Sequence, residues 1–161
     1  MINRDEYLNK LIKFRDKELI KVVTGIRRCG KSTLFDLYID YLQKNGVQEE
    51  QIIRLNLEDP VYYELDSYLK LYNYIKEKMN SNKMNYIFID EVQNIPEFQK
   101  AVDGLYIQKN TDIYITGSNA YLLSGELATL LARAVYTFPL LIHSSLTFTS
   151  LRSTYPTTPL P

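Results

Sequence analysis

Gly25-Ile-Arg-Arg-Cys-Gly30-Lys31-Ser32 is the stretch on which the reading of this 161-residue chain turns. It fits G-x-x-x-x-G-K-S/T without a mismatch, and each part of that pattern has a chemical reason. The two glycines let the backbone turn tightly, so that the N–H groups of Ile26, Arg27, Arg28 and Cys29 point inward at phosphate oxygens. A helix opening at Lys31 adds its positive N-terminal end. Lys31 brings a mobile point charge to β- and γ-phosphates, and the Ser32 hydroxyl, with Thr33 behind it, is suited to Mg²⁺. The side chains of Arg27 and Arg28 are expected to point away from the phosphates. Cys29 is either an oxidisable thiol beside cations or a small residue that the loop tolerates.

The flanks supply the context that such a loop requires. Residues 19–24 (LIKVVT) are apolar and β-branched, a buried strand running into the loop. Beyond it Leu34, Leu37, Tyr38, Tyr41 and Leu42 keep helical spacing, and Asn45-Gly46 closes that helix. An amphipathic helix is expected over residues 5–15, a second strand over 51–57, and a helix after Asp66 or Ser67 as N-cap. Residues 86–89 make a third strand, a helix runs from Pro96 to about Ile107 with Pro96 in its first turn, and residues 113–116 make a fourth strand. Leu123, Leu127, Leu130 and Leu131 mark a last helix. Short apolar strands alternating with helices give an α/β domain of three layers, its sheet mostly parallel. Ligands of such sheets bind outside the carboxyl ends of the strands, which makes the polar residues there the candidates for chemistry.

The third strand ends in Asp90-Glu91. Two adjacent anions at a buried strand end are costly unless something cationic or protic faces them. A Mg²⁺ ion and an attacking water meet that need. Asp90 is expected to hold the metal, through water or from the Ser32 side of its shell, and Glu91, facing differently, to act as general base. The fourth strand runs into Gly117-Ser118-Asn119. Ser118 or Asn119 is a candidate for reaching the γ-phosphate or the water, and equally a helix N-cap, since both residue types favour that position.

The formal net charge is zero, from 19 basic and 19 acidic residues, which argues against a protein whose main work is coating nucleic acid. A single cysteine, Cys29, and a single histidine, His143, exclude a disulfide framework and a multi-Cys or His-rich metal centre. No apolar run is long enough for a membrane span and no secretory leader is visible, so a cytoplasmic location is expected. The average hides a break. Residues 134–161 hold ten Ser or Thr and four of the six prolines, with Arg152 their one charged side chain. The expected division is therefore a phosphate-binding core over residues 1–133 and an atypical tail over 134–161. That tail is either a shifted reading frame ending a longer natural protein or a native flexible terminus.

Together Thr24-Gly-Ile-Arg-Arg-Cys-Gly-Lys-Ser-Thr33, Phe88-Ile-Asp-Glu-Val-Gln93 and Thr116-Gly-Ser-Asn119 resemble the bacterial and archaeal AAA-superfamily ATPases that carry a C-terminal domain of unknown function. The resemblance spans about residues 1–133. It implies a P-loop NTPase core of AAA/RecA type with strand order 5-1-4-3-2, the fifth strand left open because Pro139 limits pairing beyond residues 134–138. It implies ATP with Mg²⁺: Lys31 and Ser32 on phosphates and metal, Asp90 and Glu91 as the Walker B acids, and Asn119 or Ser118 as sensor. Gln93 matches the motif without an assigned role. Arg133 stands where the family has an arginine, but lacks the glycine ahead of it.

Mg-dependent ATP hydrolysis is the leading expectation, since a glutamate beside the metal aspartate activates water, which a kinase must exclude. A nucleotide-binding switch or scaffold with little hydrolysis is the alternative. A small-molecule P-loop kinase is weaker, because no arginine cluster suited to a lid follows the third strand. Protein, DNA or further copies of the chain all remain open as partners. No helix-turn-helix, nuclease carboxylate set or basic stripe selects among them.

Overall fold

The computed structural model describes residues 4–26, 28–118 and 135–140. Arg27, Asn119, the Leu-rich helix, Arg133 and the chain beyond 140 lie outside the described residues. In chain order the elements are α1 (Arg4–Lys13), β1 (Ile20–Gly25), α2 (Lys31–Lys44), β2 (Ile52–Asn56), α3 (Tyr68–Lys78), β3 (Asn85–Asp90), α4 (Phe98–Tyr106), β4 (Thr111–Ser118) and β5 (Val135–Leu140). The strands form one parallel sheet of order β2-β3-β4-β1-β5, the expected 5-1-4-3-2 read from the other edge.

Alternation along the strands divides the core between two faces. Ile20 and Val22, Ile87 and Ile89, and Ile113 and Ile115 pack under α3 and α4 with Leu71, Ile75, Phe98, Val102 and Leu105. Val23, Phe88 and Tyr114 face the other way, onto Leu11 of α1 and Leu34, Phe35, Tyr38 and Leu42 of α2. Helices thus cover both faces of the sheet, as the alternating pattern requires. Asn45 and Gly46 end α2 as expected: Gly46 takes φ 91°. Its N–H donates to the Gln43 carbonyl at 3.2 Å, and that of Val47 donates to Leu42 at 3.0 Å. Ser67, not Asp66, caps α3 through a bond from the Lys70 N–H.

Three expectations change. Helix α4 starts at Phe98, not Pro96, because a 3₁₀ turn over Val92–Asn94 and a left-handed Glu97 (φ 53°) use up the preceding residues. Strand β4 extends two residues ahead of the apolar run, since Asp112 is buried against Lys21 and needs no solvent. The fifth strand is present and passes Pro139, pairing with β1 from Ile20↔Val135 to Gly25↔Leu140. Pro139 is tolerated because β5 is an edge strand, where one side of the backbone has no ladder to complete. Phe14 closes over this edge, its ring centroid 4.0 Å from that of Tyr136 and 5.6 Å from that of Phe138. Strand β1, which carries the loop, is therefore an inner strand.

Candidate nucleotide site

Strands β1, β3 and β4 deliver the candidate residues to one edge of the sheet. The loop leaves β1 at Gly25 and re-enters regular structure at Lys31. Gly30, the residue before the helix, takes φ 93°, and exposed Arg28 takes φ 64°. Gly30 thus has the left-handed backbone for which glycine is suited. Gly25 serves for a different reason than expected. Its φ is not positive; the requirement is close approach, since an added Cβ would lie 2.6 Å from Cys29 Sγ and 3.2 Å from the Leu140 carbonyl oxygen. Cys29 is buried and packs with Leu34, Phe138 and Leu140, behaving as a small hydrophobe under the loop. Ile26 is exposed, and Ser32 and Thr33 lie exposed in the first turn of α2.

Lys31 is only 4% exposed, so its three ammonium protons need partners. The carbonyls of Gly25 (3.4 Å) and Ile26 (3.3 Å) and Glu91 Oε1 (3.3 Å) supply them. Glu91 itself is left-handed (φ 57°), so the chain breaks out of the strand there and the two acids point differently. Thr116 on β4 pins this break. Its hydroxyl donates to Asp90 Oδ1 and accepts from the Glu91 N–H at 3.0 Å. Asp90 Oδ2 accepts from Arg54 Nη2 of β2 at 3.1 Å, and the same nitrogen lies 3.5 Å from Asp36 of α2. Gln93, in the following turn, donates to Glu91 Oε2 at 2.6 Å.

The two anions expected to await a metal are therefore already faced by two cations, Arg54 for Asp90 and Lys31 for Glu91. Sequence reasoning missed Arg54 and Thr116. The signal for Arg54 was a lone charge inside the apolar strand Ile52–Asn56, which solvation explains as readily as an ion pair. Ser118 pairs with Gly25 in the sheet register, beside the loop, while Asn119 lies outside the described residues.

Among the described residues no cluster of three or more His, Cys, Asp or Glu forms a metal cage. The donor set suits Mg²⁺ all the same, because that ion is held by one or two protein oxygens plus phosphates and water. Ser32 is accessible, and each Asp90 oxygen keeps a second lone pair for a metal-bound water. The close-packed Gly25 cradle and the buried Lys31 suit a polyphosphate in the same way. A groove of about 800 Å³ lies elsewhere, past the ends of β2 and β3 between Leu57, Tyr62, Tyr63, Asn94, Ile95 and Pro96. A phosphate loop needs no such hollow, since its ligand sits on backbone N–H groups and Lys31 is bonded back onto the loop carbonyls. Among the described residues no helix is long and apolar enough to cross a membrane.

Known proteins bear on this geometry in three ways. The profile of the AAA domain family matches residues 17–148, a span that takes in all five strands. A protein of Haemophilus influenzae described as uncharacterised is 49% identical over 133 residues, 82% of this chain and 33% of that one. An uncharacterised protein of Methanocaldococcus jannaschii is 34% identical over 134 residues, 80% of this chain and 26% of that one. The chain thus spans about a third or less of the length of these relatives. Among solved structures, Saccharomyces cerevisiae Hsp104 in complex with casein aligns with TM-score 0.61 at 15% identity, over 89% of this chain and 27% of that one. A DNA polymerase III gamma subunit-related protein from Thermotoga maritima aligns with TM-score 0.58 at 13% identity, over 86% and 47%. Drosophila ORC bound to DNA aligns with TM-score 0.54 at 12% identity, over 88% and 93%. By loop, sheet order and profile, this chain belongs to the AAA domain family and is a nucleotide-binding domain of the ATPase type.

Proposed function

We propose that this chain binds ATP with Mg²⁺ and hydrolyses it, with Lys31 on the β- and γ-phosphates and Glu91 as general base. The observation that carries the proposal is the 3.3 Å approach of Lys31 Nζ to Glu91 Oε1 across the mouth of the loop. Phosphate oxygens compete for Lys31 when they arrive, and an ammonium drawn to them leaves Glu91 Oε1 free to accept a proton. Ser32 and Asp90 are the residues that would hold the metal, which would supply positive charge to the phosphates. Thr116 keeps the Asp90–Glu91 break rigid, so that the base stays near the reacting phosphate while the metal carboxylate faces elsewhere.

The switch reading has its own support. Both Glu91 oxygens are engaged, one by Lys31 and one by Gln93, so hydrolysis requires a rearrangement. The chemistry does not select a cargo, since the same frame is seen with casein in Hsp104 and with DNA in ORC. The hydrolysis reading also predicts a protein of the cytoplasm, where ATP is plentiful. Steady-state phosphate release separates hydrolase from switch. Glu91→Gln should slow release by about 10²- to 10⁴-fold with ATP binding retained. Equal rates would remove Glu91 as base.

A further inference from the structure

Gln93 stands one turn beyond the acidic pair, and the proposed chemistry has so far left it idle. Its position is fixed rather than incidental. The left-handed Glu91 turns the chain back on itself, and a 3₁₀ turn follows, with Asn94 N–H donating to the Glu91 carbonyl and Ile95 N–H to that of Val92, both at 3.1 Å. Asn94 Nδ2 ties the same turn to the Leu57 carbonyl at 3.1 Å. Held there, the Gln93 amide donates from Nε2 to Glu91 Oε2 at 2.6 Å. Its other end is the anomaly. Gln93 Oε1 is buried and accepts no hydrogen bond, and it is the one buried side-chain polar atom without a partner among the described residues.

A buried acceptor with no donor needs an explanation, and a catalytic role is one that its place beside Glu91 supports. Since Nε2 can bond only an acceptor such as the Glu91 carboxylate, Oε1 is the end left over, on the same amide that bonds the base. We propose that Gln93 is a water-positioning residue: its Oε1 accepts a hydrogen bond from one O–H of the attacking water, while Glu91 accepts one from the other O–H and takes that proton. This rests on the reading of Glu91 as base.

The chemistry of an attacking water requires both groups. A water whose two O–H bonds are committed to Gln93 Oε1 and Glu91 Oε1 has a lone pair left to face the γ-phosphorus. In the step itself the water oxygen bonds to phosphorus and the bond to the β,γ-bridging oxygen breaks. The proton passes to Glu91 Oε1, and the electron pair leaves with ADP. The bond from Gln93 Nε2 to Oε2 keeps the glutamate from rotating away as Lys31 turns to the phosphates. Gln93 thus fixes both the base and the nucleophile, and has no contact that would favour nucleotide in the ground state.

The test uses the whole chain and two phosphate mimics. ADP with beryllium fluoride imitates bound ATP, whereas ADP with aluminium fluoride imitates the in-line complex that includes the water. Gln93→Leu should bind ATP and the beryllium complex within about twofold of wild type. It should lose at least tenfold in trapping of the aluminium complex and in kcat, with KM unchanged. Gln93→Glu keeps an acceptor but loses the donor to Glu91 and adds a like charge, so it should not rescue. Wild-type trapping and turnover in Gln93→Leu, alongside a slow Glu91→Gln, would overturn the role of Gln93 alone. Loss of both mimics would make Gln93 a structural residue, which also overturns it. Wild-type turnover in Glu91→Gln, or none in the parent chain, would overturn the reading beneath it.

Discussion

The two ends of the sheet each bury a set of charges, and they are finished differently. At the amino ends, Lys21 of β1 donates to Asp112 of β4 and to the Lys17 carbonyl, and neither side chain of the pair is more than 1% exposed. Asp112 also accepts from the Asp16 N–H and from the Tyr114 hydroxyl, both at 2.8 Å. Tyr114 is bonded to Tyr38, and Tyr86 donates to Asp16 while accepting from Arg15. Burial dominates this end: it lowers the Lys21 ammonium and raises the Asp112 carboxyl from their usual values, against the pull of each on the other. Among the described residues no buried side-chain polar atom there lacks a partner. At the carboxyl ends, Lys31, Glu91, Arg54, Asp90 and Thr116 form a comparable network, yet Gln93 Oε1 is left open. A closed network rigidifies a fold, whereas the acceptor left open at the carboxyl ends is where we place the attacking water.

If the amino end is structural, breaking it should cost stability above all. Asp112→Ala strands the buried Lys21 and is expected to lose about 3–5 kcal/mol in chemical denaturation. A loss below about 1 kcal/mol would show that the network is not holding the strands. Gly25→Ala tests the other end. The new methyl group meets Cys29 and Leu140 in a packed region, so a loss of about 1–3 kcal/mol is expected, with weaker ATP binding as the loop shifts. Unchanged affinity would mean that the cradle does not depend on that approach.

The smallest effect is expected at Tyr86. Burial first, and then its bond to Asp16, push this hydroxyl up to about 12 from 10.0. A raised folded value means that its contribution is fully present below pH 10 and is lost as pH climbs toward 12. Tyr86→Phe should cost about 1 kcal/mol at neutral pH. Wild type should then lose more stability than the variant between pH 10 and 12. Parallel alkaline curves would break this account of the amino end.

The same contrast explains what was legible in the sequence. The loop and Asp90-Glu91 are local patterns, set by contiguous residues, and periodicity placed the strands that bear them. Arg54, Thr116, Lys21 and Asp112 act through partners on other strands, and a lone polar residue in an apolar run does not say whom it meets. Lys21 and Asp112 left one usable signal. The sheet order implied by the resemblance makes β1 and β4 neighbours, and each carries a single opposite charge near its start. Strand β5 was obscured by Pro139, which marks an edge strand as readily as it ends one.

ATP-induced thermal stabilisation puts the central contrast to the most direct test. With ATP and Mg²⁺ at about a hundredfold excess over Kd, wild type should gain about 2.7 kcal/mol, seen as a higher Tm. Asp112→Asn should begin at a lower Tm and show the same rise, whereas Lys31→Ala should show none. A wild-type rise in Lys31→Ala would contradict the account, because the nucleotide would then be held somewhere other than the loop.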